Sequence, residues 1–210
     1  MDIAVWNDKG GCGKSTLSVN LAEALGAALI DADPQGDSSR YAAGRGLPCI
    51  SAPTKAEVLA AVGGPGHRVV DCAPGQGEAS LTAVASADLV ILPTRTGEAD
   101  LVALSRALAV VAVVRTKNPR IRVAVALVNT RDTGRARGVE DVLRSQAAAS
   151  GYHWLGRLST RVGVEEAYAQ QRPLLEVGGA VAYEFRQILS AVEAILDTAG
   201  TRDIPNTAVH

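Results

Sequence analysis

Short apolar runs alternate with stretches whose apolar residues recur at helical spacing along nearly the whole chain. Leu89–Leu92 and Val123–Val128 are apolar at every position. A strand of that kind is covered on both faces, as in a parallel sheet flanked by helices. Strands are predicted at Ile3–Trp6, Ala27–Asp31, His67–Asp71, Asp88–Leu92 (closed by Pro93) and Ile121–Val128, with a short last one at Trp154–Leu158. Helices are predicted over Ser15–Leu25, Thr54–Ala61, residues 78–85, Ala99–Arg115 and Gly138–Ala148, then over Arg161–Gln170 and Val181–Thr198. Thr54 with Glu57 three residues on has the pattern of a capping box. Residues 37–53 show no period. The alternation predicts a three-layer α/β sandwich, a mostly parallel central sheet with helices on both faces. Residues 1–200 read as a single domain and 201–210 as a frayed tail.

In an open sheet of this class, chemistry gathers at the carboxyl ends of the strands. The predicted strands end at or beside Asn7, Asp31, Asp71, Pro93 and Asn129. Between the first strand and the first helix lies Lys9-Gly10-Gly11-Cys12-Gly13-Lys14-Ser15-Thr16. Strand, glycine loop, helix is the setting of a phosphate-binding loop, which makes the sandwich P-loop NTPase-like. Glycines let successive amides converge on phosphate oxygens, and the helix adds its positive end. In such a loop Lys14 reaches the outer phosphates and Ser15 holds Mg²⁺.

Asp71 ends its strand and is placed either to hold Mg²⁺ or to cap a turn. Asp31 falls beside the metal. Asp33 is either the residue that orients the attacking water or an ordinary turn aspartate before Pro34. Asn129 either reads an adenine edge or starts a turn. Lys9 lies outside the ordinary loop logic. It is either a surface lysine or a cation that reaches a partner subunit's phosphates across a two-fold interface. Cys12, inside the loop near Lys14, is expected to be acidified by that charge, without a catalytic role.

Composition narrows the field only modestly. With 210 residues and 47% hydrophobic content the chain fills a sizeable core, and a net charge of -1 excludes a uniformly basic nucleic-acid module while leaving room for a basic patch. Three cysteines, Cys12, Cys49 and Cys72, form no ligand-spaced cluster and suggest a cytoplasmic protein.

Asn7-Asp8-Lys9-Gly10-Gly11-Cys12-Gly13-Lys14-Ser15-Thr16 resembles the deviant Walker A motif of the ParA/MinD ATPases, with Lys9 on the signature lysine. Asp31-Ala32-Asp33-Pro34-Gln35-Gly36 resembles that family's switch I, with Asp33 on the hydrolytic aspartate. Asp71-Cys72-Ala73-Pro74-Gly75 resembles Walker B and switch II, with Gly75 where a second proline is common. The resemblance covers roughly residues 1–190. It implies an ATP- and Mg²⁺-dependent homodimer with Lys9 crossing between subunits. It also implies Gly10 to Thr16 and Asn129 on the nucleotide, and Ser15, Asp31 and Asp71 around the metal. Among its branches, the short plasmid-partition ParA proteins look most similar. That branch implies a nucleoid-associated ATPase binding non-specific DNA, through Arg157, Arg161 and Arg172 here, with a centromere-binding ParB-like partner that triggers hydrolysis. A membrane-cycling MinD-like protein fits the Pro205-containing end poorly. A relative that positions a protein compartment remains open.

Overall fold

The computed structural model describes residues 1–131, 133–159 and 162–200; the expected tail, 201–210, and the DNA-contact candidate Arg161 lie outside them. Seven strands form one sheet: β1 (Asp2–Val5), β2 (Ala28–Ala32), β3 (Cys49–Ser51), β4 (Arg68–Cys72), β5 (Leu89–Thr94), β6 (Arg122–Thr130) and β7 (His153–Ser159). Their spatial order is β3-β2-β4-β1-β5-β6-β7, and every neighbouring pair is parallel. The expected sandwich is therefore present.

Alternate residues of each strand enter opposite faces, and the two cores divide accordingly. Ile3, Val5, Leu29, Val69, Leu89 and Ile91 pack under α1 (Lys14–Ala24), α2 (Asp37–Gly44), α7 (Val162–Ala169), α8 (Leu174–Val177) and α9 (Gly179–Gly200). Ala4, Trp6, Ile30, Val70, Val90 and Leu92 pack under α3 (Lys55–Ala61), α4 (Glu78–Ser86), α5 (Glu98–Lys117) and α6 (Gly134–Ser150). Burial on both sides explains why the strands read as unbroken apolar runs. Arg68, charged yet buried at the start of β4, is paired with the buried Asp2 carboxylate, which also accepts from the Gly63 amide at 3.0 Å.

Residues 37–53 contain α2 and the edge strand β3, which the sequence did not reveal. α2 buries only Ser38, Tyr41 and Ala42, too few for a visible period. It begins at Gly36 in a left-handed conformation, φ 69°, with Asp37 in its first turn. The predicted Thr54–Glu57 capping box is present in both directions. α6 starts four residues before the predicted Gly138, capped by the Thr133 hydroxyl. No helix among the described residues is long and apolar enough to cross a membrane.

The chain runs from β1 to β2 and β3 on one side, then returns to place β4 against β1, and crosses to β5 on β1's other side. The direction of winding reverses there, and in such sheets the reversal opens a crevice above the strand ends. The loop after β1 occupies it.

Candidate active site

The loop Gly10–Gly13 bends through two left-handed residues, Gly11 at φ 71° and Gly13 at φ 78°. At Gly13 the positive φ favours glycine, while a Cβ there would rest in van der Waals contact with Val128 Cγ2 at 3.4 Å. α1 starts directly after it, at Lys14. The loop, Lys14, Ser15, Thr16, Asp33, Gln35, Pro74, Asn129 and Tyr168 line a cleft of about 380 Å³. An adjoining recess of about 300 Å³ is walled by Leu158, Val164 and Tyr168 beside Gly13, Thr16 and Asn129. A polar cleft at a helix N-terminus running into an apolar recess has the shape of a phosphate site joined to a base site.

Lys14 is buried and turns its ammonium onto the Lys9 carbonyl, 3.2 Å away. The charge thus hangs over the loop with one neutral acceptor, which leaves it available to an anion. Lys9 behaves differently. Its ammonium donates to Asp100 Oδ1 at 2.6 Å, and Asp100 sits in the first turn of α5, itself largely buried. The backbone at Lys9 is fixed as well, its amide donating to Asn7 Oδ1 at 3.1 Å while Asn7 Nδ2 donates to the Pro93 carbonyl at 2.7 Å. Asn7 and Asp100 hold Lys9 in contacts that sequence reasoning did not assign.

Asp31 and Asp71 are direct partners on β2 and β4, and both are buried. Asp31 commits both oxygens to the following loop: Oδ1 accepts from the Asp33 amide at 3.1 Å, and Oδ2 from the Ser39 amide at 2.9 Å and hydroxyl at 2.6 Å. Its shown work is to shape the 33–39 turn rather than to face the cleft. Asp71 accepts from Ser18 Oγ at 3.0 Å and lies by the Ser15 hydroxyl. Burial pushes its carboxyl up to about 6, helped by the charge of Asp31, against the lowering effect of the Ser15, Ser18 and Ser38 hydroxyls.

The Asp71 carboxylate beside the Ser15 hydroxyl offers hard oxygens that fit a divalent cation such as Mg²⁺, with the charge of Asp31 behind it. Without a cation, ionising Asp71 costs stability. Its folded pKa lies above the unfolded value of about 3.9, so its contribution is complete below pH 4 and is lost as pH rises through about 6. The penalty at pH 7.5 is roughly 3 kcal/mol. Asp71→Asn is therefore expected to raise the metal-free melting temperature at pH 7.5 by about 5–10 °C and to leave it nearly unchanged at pH 4. Calorimetry at both pH values checks this, and equal shifts at the two would contradict it.

Asp33 sits on the cleft wall, where its Oδ1 accepts from the Gln35 amide at 2.9 Å. Asn129, at the end of β6, lies at φ 51° and lines both cleft and recess. Tyr168 also lines both and packs on Tyr41 of α2, ring centroids 4.6 Å apart. That contact joins the apolar recess to α2.

Gly75 has a physical reason. It lies at φ 83°, and its amide donates to the Asp8 carbonyl at 3.0 Å while its own carbonyl accepts from Trp6 Nε1 at 2.9 Å. Proline has neither that φ nor an N–H, so the segment after Asp71 is tied to the phosphate loop in a way a proline would prevent.

Two expectations change. Cys12 is not acidified: it is 1% exposed, and burial raises its thiol pKa more than Lys14 lowers it. Arg157 is engaged rather than displayed, lying 3.4 Å from Glu140 and 3.8 Å from Glu184 with a side chain 23% exposed. Arg172 is exposed, its guanidinium donating to the Glu176 carbonyl at 3.0 Å. Arg161 falls outside the described residues.

The sequence profile of the CobQ/CobB/MinD/ParA nucleotide binding domain matches residues 3–174. Maintenance of carboxysome distribution protein A from Gloeobacter kilaueensis is 38% identical over 156 residues, covering 69% of this chain and 71% of that protein. Among solved structures, apo McdA from Cyanothece superposes with a TM-score of 0.70 at 14% identity, over 91% of this chain and 99% of the other. A plasmid partition protein from Borrelia burgdorferi, bound to AMPPNP, superposes with a TM-score of 0.72 at 17% identity, over 91% and 98%.

Proposed function

We propose, from the premise that the chain belongs to the CobQ/CobB/MinD/ParA nucleotide binding domain family, that it is an ATP-driven ATPase that positions a protein cargo. One observation carries the reading: a phosphate loop with its own buried lysine, Lys14, beside a second lysine held on α5 by Asp100. An ordinary phosphate loop needs only the first. The second has a place to rest in the single subunit and a charge suited to a triphosphate.

In this reading Lys14 and the amides of Gly10 to Thr16 bind the outer phosphates. Ser15 and Asp71 would hold Mg²⁺, which would supply positive charge to the phosphates. Asn129 and Tyr168 flank the base. Asp33 orients the attacking water. Lys9 leaves Asp100 and crosses to the triphosphate of a second copy, so that ATP becomes part of a homodimer interface.

The named relative supports a protein cargo. The Gloeobacter protein is 38% identical and is named for carboxysome distribution. The plasmid-partition reading, with its centromere-binding partner, has a likeness of fold behind it, since the Borrelia protein is 17% identical. The partner proposed is accordingly a cargo adaptor, and duplex DNA is the proposed track, with Arg172 as the exposed contact.

Asp33→Ala tests the cycle. The variant is expected to bind ATP and dimerise normally while turnover drops by about 10²-fold or more, and to stay on duplex DNA as long as ATP is present. Steady-state phosphate release and a DNA-retention assay report this. Turnover at the wild-type rate would remove Asp33 from the chemistry.

A further inference from the structure

Away from the cleft, α5 and α6 lie side by side on the same face of the sheet, and a groove of about 480 Å³ runs between them. Leu101, Leu104 and Leu108 form one wall, at the spacing of a single helical stripe, and Val139 and Val142 stand on the other. Val142 is 54% exposed and adds apolar surface to this wall. The lining on α6 runs from Arg135 to Gln146, about 16 Å along the axis. That is the length of about three turns of a docked helix.

Gly138 lies inside α6 on this wall, and a Cβ built there meets nothing within 4 Å. Glycine in a helix interior costs about 1 kcal/mol relative to alanine. The fold's own packing gives no reason for it, whereas close approach of another chain does.

Charge selects the occupant. Among the described residues that line the groove, Arg135 is the charged one. It stands in the first turn of α6, which carries no acidic residue. A cation there adds to the positive end of the helix instead of offsetting it. The exposed Arg131 lies four residues before it. All strands are parallel, so the N-termini of α5 and α6 both lie at the cleft end of the sheet; the first turn of α5 carries Glu98 and Asp100, so the positive charge at that end belongs to the α6 wall.

We propose that this groove docks a short amphipathic helix of a partner protein, its apolar side chains between α5 and α6 and a carboxylate on Arg135. Apolar walls favour a peptide over a nucleic-acid backbone, which is held by basic and polar groups. The site also lies next to the Lys9–Asp100 ion pair. Leu101 faces the groove and Asp100, one residue earlier, holds Lys9. Occupancy would thus bear on the residue that releases Lys9; this coupling rests on the ATPase reading, while the docking itself does not.

The probe is a three-turn peptide of leucine, alanine and glutamate with its leucines on one face, against a scrambled peptide of the same composition and a short DNA duplex. Amide chemical shifts are recorded on the full chain. The amphipathic peptide is expected to shift residues 101–108 and 135–146, to bind more weakly as salt rises, and to lose affinity by about tenfold or more in Gly138→Leu and in Arg135→Glu. Gly138→Leu fills open space and removes the helix-interior glycine, so its melting temperature is expected to rise by about 2–4 °C while basal turnover stays at the wild-type value. Equal binding of the scrambled peptide, or shifts elsewhere, would overturn the proposal. Shifts of the same residues by the duplex alone would assign the face to nucleic acid. Specific docking in a protein that hydrolyses no ATP would leave the groove standing and count against the ATPase reading instead.

Discussion

Lys14→Ala is expected to lower ATP affinity by about 10²-fold or more. Its ammonium is buried, lies over the loop and has the Lys9 carbonyl as its resting acceptor. Exchange of that neutral acceptor for phosphate oxygens strengthens the interaction, because the ammonium then meets full negative charge instead of a carbonyl dipole. Truncating one partner of a buried charged pair costs about 2–5 kcal/mol, and every 1.4 kcal/mol is about tenfold. The fold should survive: the strain-bearing positions of the loop are Gly11 and Gly13, which the substitution leaves alone. Titration calorimetry with ATP gives the affinity, and circular dichroism checks the fold. An unchanged dissociation constant would remove the loop from nucleotide binding.

Lys9→Ala is expected to abolish ATP-dependent dimerisation and to cut turnover by about 10³-fold, the low end of what a cation supplied in trans contributes to phosphoryl transfer. Nucleotide binding by the single subunit should remain, because Lys9 points away from the cleft and onto α5. Asp100→Asn separates the resting contact from the crossing contact. It removes the charge that holds Lys9 at 2.6 Å but keeps Lys9 itself. This variant should dimerise at lower ATP concentration than wild type, whereas Lys9→Ala should not dimerise at any. If Lys9 served only to tie α5 to the loop, the two variants would behave alike, both losing stability and neither changing assembly.

The phosphate loop was legible in the sequence because its determinants are local. Gly11, Gly13 and Lys14 lie within four residues, flanked by a strand and a helix that their own periodicity announces. The parallel sheet was legible for a related reason: strands buried on both faces have no polar positions to hide them. The contacts that define the site beyond the loop are not local. Lys9 meets Asp100 across 91 positions, and Ser18 meets Asp71 across 53. Nothing in the spacing of either pair marks it. Arg157 looked available for the same reason, since its carboxylates come from α6 and α9. Gly75 read as a departure from a proline-rich pattern until its positive φ and its amide bond to Asp8 supplied the cause. Cys12 shows which effect wins inside the loop: the nearby ammonium lowers its pKa, and complete burial raises it by more.

Light scattering of the wild-type chain with ADP and with a nonhydrolysable ATP analogue tests the central claim most directly. The ADP state is expected to be a monomer and the analogue state a dimer, with Lys9→Ala remaining a monomer in both. A wild-type chain that stays monomeric with the analogue while hydrolysing ATP at an undiminished rate would contradict it.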